Sequence, residues 1–111
     1  MRPSSLPNGK MAVYIFIHNN EFLKIGKTGL KSAARFTSQH YNPKSAPSTL
    51  AKAILNDERF TNLNISEGDI GTWIEQNCRR IDILINEALG VFALNLIESA
   101  LHYRYEPKYE G

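Results

Sequence analysis

The sequence predicts a small α/β (α+β) domain in which helices flank a central antiparallel sheet of about three strands. Two short runs rich in β-branched and aromatic residues, 12–18 and 21–27, are separated only by Asn19 and Asn20. A third such run, 79–85, lies far along the chain, and helical patterns occupy 31–57 and the stretch after 86. A hairpin followed by helices and one distant strand is typical of an α+β architecture.

Length and composition predict one domain with a single core, because the chain has 111 residues and an ordinary share of hydrophobic residues, 42%. Residues 1–10 contain two prolines, two serines and a glycine, so we predict a flexible leader there and the domain over 11–111. The chain contains no apolar run of about 20 residues and begins without the apolar core of a signal peptide. Cys78 is the single cysteine, and we expect a small, buried or half-buried residue in a cytoplasmic protein.

The first elements form a hairpin. The segments AVYIFIH and EFLKIGK predict strands, and the Asn19-Asn20 turn between them tolerates positive φ, so the two strands pair directly. Residues 31–40 have helical composition and predict a helix. It ends before the YNP segment, because Pro43 disfavours helical geometry in the residue before it.

Three further helices are expected. One opens near Ser48, and Ser48 or the residue before it is predicted to act as its cap. A short one follows Ser66 and Asp69, which resemble a capping box. After the third strand, the last helix runs over 87–105 and ends before Pro107. Its side chains are apolar on most sides, which predicts a helix at the centre of the domain.

Charge is distributed unevenly along the chain. Residues 1–55 contain eight Lys or Arg and one acid, a balance of +7, and residues 56–111 contain five bases and ten acids, a balance of −5. A basic half usually meets a polyanion, and nucleic acid is the commonest one, although a charge run is also typical of an ordinary solvated face.

A family resemblance becomes visible in the hairpin. Ala12-Val13-Tyr14 and Lys24-Ile25-Gly26 are similar to the two motifs of the GIY-YIG nuclease superfamily, with Arg35 on the next helix and Glu98 on the last one. Lys24 replaces the tyrosine of the second motif, which is similar to a restriction-enzyme branch of the superfamily. The run from 34 to 55 also resembles a bacterial subgroup of these nucleases. The resemblance covers nearly all of 12–111 and implies the fold, a DNA substrate and one divalent metal ion.

The resemblance also implies roles. Tyr14 would activate water, Arg35 would stabilise the phosphate, and Glu98 would hold one Mg²⁺ on the side of the leaving group. His40 stands near a histidine that assists proton transfer or phosphate contact in the superfamily. Each residue has an ordinary alternative: a surface arginine for Arg35, an interior or capping histidine for His40, and an exposed helix face for Glu98.

Two chemical roles are open for Lys24. A phenol ionises near pH 10, so Tyr14 needs a positive neighbour to act as a base, and an ammonium on the same face of the paired strands favours the phenolate. A neutral, desolvated Lys24 would instead accept the phenolic proton. Both roles require Tyr14 and Lys24 to share one face of the sheet.

Five further residues are predicted to contact DNA. Lys27 and Thr28 follow Gly26, where the missing side chain permits close approach of another backbone, and the others extend the positive surface. The five are Lys27, Thr28, Lys31, Lys44 and Lys52.

The function predicted is therefore Mg²⁺-dependent hydrolysis of DNA phosphodiester bonds. A single site cuts one strand at a time, so a double-strand break would need a homodimer, a partner domain or two events. Two other classes remain open at this point: a nucleic-acid-binding module without turnover, and a protein-interaction domain that uses the acidic half.

Overall fold

The computed structural model describes residues 3–30, 33–44 and 49–109, except for the side chains of residues 33 and 35. Three strands and four α-helices occur in these ranges, and 3-10 turns connect several of them. The elements are β1 Lys10–His18, β2 Glu21–Thr28, α1 Ala33–Thr37, a 3-10 turn Gln39–Tyr41, α2 Leu50–Leu55, a 3-10 segment Glu58–Leu63, α3 Ile70–Asn77, β3 Arg79–Asn86, a 3-10 turn Glu87–Leu89 and α4 Gly90–Tyr105.

The predicted hairpin is confirmed. Asn19 and Asn20 both adopt positive φ, 49° and 64°, which matches the right-handed twist of the flanking strands. The register is interrupted between Phe16 and Ile17, where one extra residue enters β2. From Phe16 back to Ala12 the pairing with β2 is regular, so the positions of side chains on the two faces follow directly from the register.

The sheet is three-stranded and antiparallel in the order β2-β1-β3, which confirms the predicted fold class. Even-numbered residues of β1, among them Tyr14 and Phe16, face one core together with α2 and α3. Odd-numbered residues such as Val13 and Ile15 face a second core together with α4. We call these two surfaces the Tyr14 face and the α4 face. The sheet thus separates two layers of helices.

Several predicted boundaries change, among them the end of the first helix, which is Thr37 and not residue 40, and the start of the last helix, which is Gly90 and not residue 87. Lys10, which the prediction placed in the leader, is the first residue of β1 and pairs with Asn86. Helix α2 begins at Leu50, and the hydroxyl of Thr49 caps it by accepting a hydrogen bond from the backbone N–H of Lys52, 3.1 Å away. The predicted cap residue Ser48 lies outside the described residues.

The predicted capping box of α3 is wrong in its contacts. Ser66 Oγ donates to the carboxylate of Asp69 at 3.0 Å, and the helix begins only at Ile70. Asp69 makes no capping hydrogen bond with its side chain. The serine therefore donates to a carboxylate next to the helix start instead of accepting from the backbone.

The last helix is not central, which corrects a second prediction. Leu94 is the one residue of α4 that is fully buried among those described, and Ile97 and Leu101 pack on the same core. The opposite side of α4 exposes large apolar side chains. An all-round apolar composition predicted burial on every side, but α4 covers only the outer surface of the sheet.

The outer edge of β2 is covered by the C-terminal segment. The backbone N–H groups of Lys108 and Tyr109 donate to the carbonyls of Phe22 and Leu23, both at 2.8 Å. Tyr109 Oη donates to a carboxylate oxygen of Asp57 at 2.6 Å. This hydrogen bond lowers the pKa of Asp57, and burial together with the carboxylate raises the pKa of Tyr109.

None of the helices within the described residues has the length and apolar character needed to cross a bilayer.

Candidate functional site

The register arranges the Tyr14 face in cross-strand rows. One row runs from Lys24 on β2 through Phe16 to Arg80 on β3, and the next runs from Gly26 through Tyr14 to Asp82. These two rows are two positions apart along each strand, so their side chains point to the same side of the sheet. The prediction that Tyr14 and Lys24 share a face is therefore confirmed, as diagonal neighbours about 7–8 Å apart at their backbones.

The phenol of Tyr14 lies across β2, directly over Gly26. A Cβ atom built on Gly26 would lie 2.6 Å from Tyr14 Cζ and 2.7 Å from Cε1, and closer still to the phenolic oxygen. No other residue type leaves this space, so Gly26 is required by the ring that crosses it and not by an unusual backbone angle. Tyr14 is 0% exposed, and the phenolic oxygen is therefore enclosed.

His40 connects this phenol to helix α2. Its Nε2 lies 2.7 Å from Tyr14 Oη, and the backbone N–H of Leu50 donates to its Nδ1 at 3.0 Å. A ring nitrogen that accepts a hydrogen bond carries no proton, so His40 is a neutral imidazole with its proton on Nε2. It follows that His40 donates to the Tyr14 oxygen. His40 is both a buried capping histidine and a direct partner of the predicted catalytic tyrosine.

Arg80 is the residue of this face that the sequence reasoning missed. Its guanidinium donates through Nε to Asp82 Oδ1 at 2.9 Å, through Nη2 to the carbonyl of Phe36 at 2.6 Å, and through Nη1 to Tyr41 Oη at 3.2 Å. The side chain is 6% exposed. Its position two residues before Asp82 in a predicted strand was a usable signal, because residues i and i+2 share a face.

Aromatic rings surround the same guanidinium. Four ring centroids lie 4.9–6.0 Å from its central carbon, those of Tyr14, Phe16, Phe36 and Tyr41. A guanidinium over ring faces is stabilised by the ring quadrupoles, and more strongly when it is removed from water. Arg80 therefore joins β3 to α1 and to the turn that carries His40. It positions the neighbourhood of Tyr14 without contacting its hydroxyl.

Glu98 lies elsewhere. It belongs to α4, on the α4 face, where one of its oxygens is 3.6 Å from Lys27 Nζ; the same ammonium donates to Asn95 Oδ1 at 2.7 Å. Lys27 pairs with Val13, whose side chain points away from the Tyr14 face. The expectation that the carboxylate gathers with the phenol around one pocket is therefore not met in this structure.

The fit of Glu98 to a metal ion is limited to one ligand. No group of three or more His, Cys, Asp or Glu side chains that could hold an ion occurs in ranges 3–30, 33–44 and 49–109. A single half-exposed carboxylate next to an amide oxygen fits a hard cation that keeps most of its waters, provided that Lys27 turns away.

The remaining predicted residues are scattered. Thr28 is buried at the end of β2, so its side chain does not form part of a DNA-contacting surface. Lys52 is exposed on α2, and Lys44 is exposed in an ion pair with Glu67 at 3.3 Å, a surface contact of little strength. Lys31 and the side chain of Arg35 lie outside the described part of the structure.

Cys78 behaves as expected for an inert thiol. Burial raises its pKa to about 12, so the thiolate is scarce at neutral pH.

No protein-family model, curated protein or solved structure matches this chain. The features that bear on function are therefore the geometry of the Tyr14 face and the motif resemblance of the hairpin.

Proposed function

We propose that this chain is a Mg²⁺-dependent endonuclease of the GIY-YIG type that hydrolyses phosphodiester bonds of DNA. Support comes from one arrangement: the Tyr14 oxygen lies over Gly26 and accepts a hydrogen bond from neutral His40. Tyrosine of the first motif and glycine of the second are thus in contact. A donor to a phenol oxygen stabilises the anionic form of the phenol more than the neutral form, which suits a tyrosine that must accept a proton from water.

In this reaction a water oxygen bonds to phosphorus while the bond from phosphorus to the leaving oxygen breaks. The proton lost by the water would pass to Tyr14 in its phenolate form, which the Nε2–H of His40 and the ammonium of Lys24 would stabilise. In the alternative role, a neutral Lys24 would take the phenolic proton as Tyr14 accepts the proton of the water. Arg35 would contact the phosphate, as the resemblance implies. The resemblance implies Glu98 as the residue that would hold the Mg²⁺, whose chemistry is to supply positive charge for the leaving oxygen; Glu98 lies on the α4 face in this structure, so α4 would have to shift for the ion to serve the Tyr14 site. Water must reach the enclosed Tyr14 oxygen, so the turn that carries His40 has to move when substrate binds.

A nucleic-acid-binding module without turnover is the second candidate. It is favoured by two specific observations: the Tyr14 oxygen is closed off from solvent, and Glu98 lies on the other face of the sheet in contact with Lys27. On this account the Tyr14, His40 and Lys24 cluster is a polar part of the core, and the lysines of the basic half bind the backbone of DNA.

Nicking of supercoiled plasmid in the presence of Mg²⁺ separates the two candidates. We expect wild type to convert the plasmid to the nicked form and Tyr14→Phe to reduce the rate by at least about 100-fold, because the ring stays in place and only the hydroxyl is lost. Tyr105→Phe is the matched control, since that tyrosine stacks on Phe22 away from the site and keeps its ring. Undiminished cleavage by Tyr14→Phe would remove Tyr14 from the reaction.

Glu98→Ala completes the same experiment. If wild type and Glu98→Ala both leave the plasmid intact and both still shift DNA on a gel, the binding module is the correct account. If neither variant nor wild type is retained on heparin more strongly than a neutral protein, both nucleic-acid functions fail and a protein-interaction domain is favoured. Thermal unfolding of each variant confirms that loss of activity is not loss of the fold.

DNA affinity provides a further prediction that both candidates share. We expect the logarithm of the association constant to fall linearly with the logarithm of salt concentration, and Lys52→Gln to make that slope shallower by about one unit. Lys52 is an exposed lysine of the basic half, and Lys108→Gln is the matched control in the acidic half. Fluorescence anisotropy with a labelled duplex measures both slopes, and equal effects of the two substitutions would contradict a DNA surface in the basic half.

A further inference from the structure

Helix α4 carries a stripe of exposed apolar side chains on its outer side. Leu89, just before the helix, is 64% exposed, Phe92 is 86%, Leu96 is 70% and Tyr103 is 88%. Phe92, Leu96 and Tyr103 are spaced four and seven residues apart, which keeps them on one side of the helix. Leu89 lies before Gly90, whose φ of 82° and ψ of 165° are not helical, so it does not continue this row. We call Phe92, Leu96 and Tyr103 the outer stripe. Large aromatic side chains this exposed, and in a row, mark an interaction surface more often than an ordinary monomer surface.

The outer stripe is separate from the side of α4 that already packs on the sheet. Leu94, Ile97 and Leu101 form the inner side, in the core of the α4 face. At 100° per residue, Leu96 and Tyr103 lie on the far side of the helix from Leu94. The helix therefore has two apolar sides, and the sheet covers one of them. In coiled coils, a second helix packs against large apolar side chains that recur at intervals of three and four residues.

We propose that the outer stripe is a dimer interface in which α4 packs antiparallel on α4 of a second copy of this chain, with the two-fold axis passing next to Leu96. The inference does not depend on the endonuclease activity. Under this symmetry, residues whose numbers add up to 192 face each other. Leu96 then meets its own copy, and Phe92 meets Ala100 of the second copy.

Side-chain sizes are self-complementary in this arrangement. Phe92 faces Ala100 of the second copy, and Ala93 faces Ser99, so that the largest ring of the stripe is opposite a methyl group. Facing large and small side chains let two helices approach to about 8–10 Å. A parallel pair would instead place Phe92 against Phe92 and Tyr103 against Tyr103, which holds the helices apart.

Charges at the ends of the helix agree with the same orientation. Glu87 is exposed at the start of the segment and Arg104 is exposed near its end. Antiparallel packing brings the end of the segment that carries Glu87 near the end that carries Arg104 of the other copy and aligns the two helix dipoles favourably. Between these ends, positions 88–97 and 99–103 contain no Asp, Glu, Lys or Arg, so no like charges repel across the centre.

Analytical ultracentrifugation over about 1 to 200 µM protein tests the interface. We expect wild type to be dimeric at the upper end of this range and Leu96→Glu to be monomeric throughout, because two carboxylates would meet at the axis. Leu96→Lys should be monomeric for the same reason, and an equal mixture of the two variants should dimerise again. Leu63→Glu is the matched control, since Leu63 is 49% exposed and lies outside the stripe. Monomeric wild type, or dimerisation equally impaired by Leu63→Glu, would overturn the proposal.

Orientation is tested by cross-linking in a Cys78→Ser background. Phe92→Cys and Ala100→Cys chains, mixed and oxidised, should form mixed disulfide dimers, because the two positions face each other only in the antiparallel pair. Either chain alone should form few dimers. Efficient coupling of Phe92→Cys to itself would show a parallel pair and overturn the antiparallel geometry.

Discussion

Replacing Gly26 with alanine is expected to destabilise the domain by about 3 kcal/mol or more, at the upper end of the cost of overfilling a packed core. The new methyl group would overlap the ring and the oxygen of Tyr14, and neither the strand nor the enclosed ring has free space to retreat into. Each kcal/mol lowers the Tm of a domain of this size by about 4–8 °C, so the midpoint should fall by roughly 12 °C or more.

Gly29→Ala is the matched control for this substitution. Gly29 lies three residues further along, and a Cβ atom there would meet nothing within 4 Å. We expect its stability to stay within about 0.5 kcal/mol of wild type in urea or thermal unfolding. Equal effects of the two substitutions would show that the Tyr14 ring does not lie over Gly26.

A double-mutant cycle isolates the contact itself. Tyr14→Leu removes the distal ring atoms and the hydroxyl that a Gly26 methyl would overlap, so Gly26→Ala should cost much less in that background than in wild type. The difference between the two costs is the interaction energy of the ring and the methyl group. Additive effects would place the cost of Gly26→Ala in the backbone of β2 instead.

Arg80→Ala is expected to cause the second largest loss of stability, about 2–4 kcal/mol in the free energy of unfolding. Removing one member of a buried ion pair usually costs about 3–5 kcal/mol, and the partial exposure of Asp82 reduces that figure. The carbonyl of Phe36 would also lose its donor. Arg80→Lys keeps the charge, but a single ammonium cannot reach the carboxylate, the carbonyl and the Tyr41 hydroxyl together, so most of the loss should remain.

Arg79→Ala is the matched control, because Arg79 is the preceding residue of the same strand and is exposed on the other face. Its effect should stay within about 0.5 kcal/mol. Hydrogen exchange gives an independent readout: the amides of Ser38, Tyr41 and Asn42, which donate within the α1 and turn region, should exchange faster in Arg80→Ala. Unchanged exchange there would contradict the anchoring role of Arg80.

The hairpin was predictable because local chemistry determines it. Asn19 and Asn20 supply the positive φ that the turn needs, and the alternation on β1 and β2 then places Tyr14 and Lys24 on one face without any knowledge of the rest of the chain. The position of Glu98 was not predictable in this way. It depends on which face of the sheet α4 covers, and a helix that is apolar on two sides fits either face.

Two other outcomes have the same origin in long-range packing. The sequence assigned Arg80 no role beyond its place in the third predicted strand, since its partners Phe36 and Tyr41 are about forty residues away and only the tertiary fold brings them together. His40 had two open interpretations, an interior or capping histidine and a histidine that assists proton transfer or phosphate contact. The hydrogen bond from the Leu50 N–H shows the capping contact, and the contact with Tyr14 leaves the second role a prediction.

The two edges of the sheet differ in whether their backbone groups are covered, which bears on how this protein would aggregate. Segment 108–109 occupies backbone groups of β2, whereas β3 pairs only with β1 among the described residues, and four of the five residues over 81–85 on this edge strand are Ile or Leu. Intermolecular β-sheet growth, for example in partly unfolded protein at high concentration, should therefore be one-sided and start at β3.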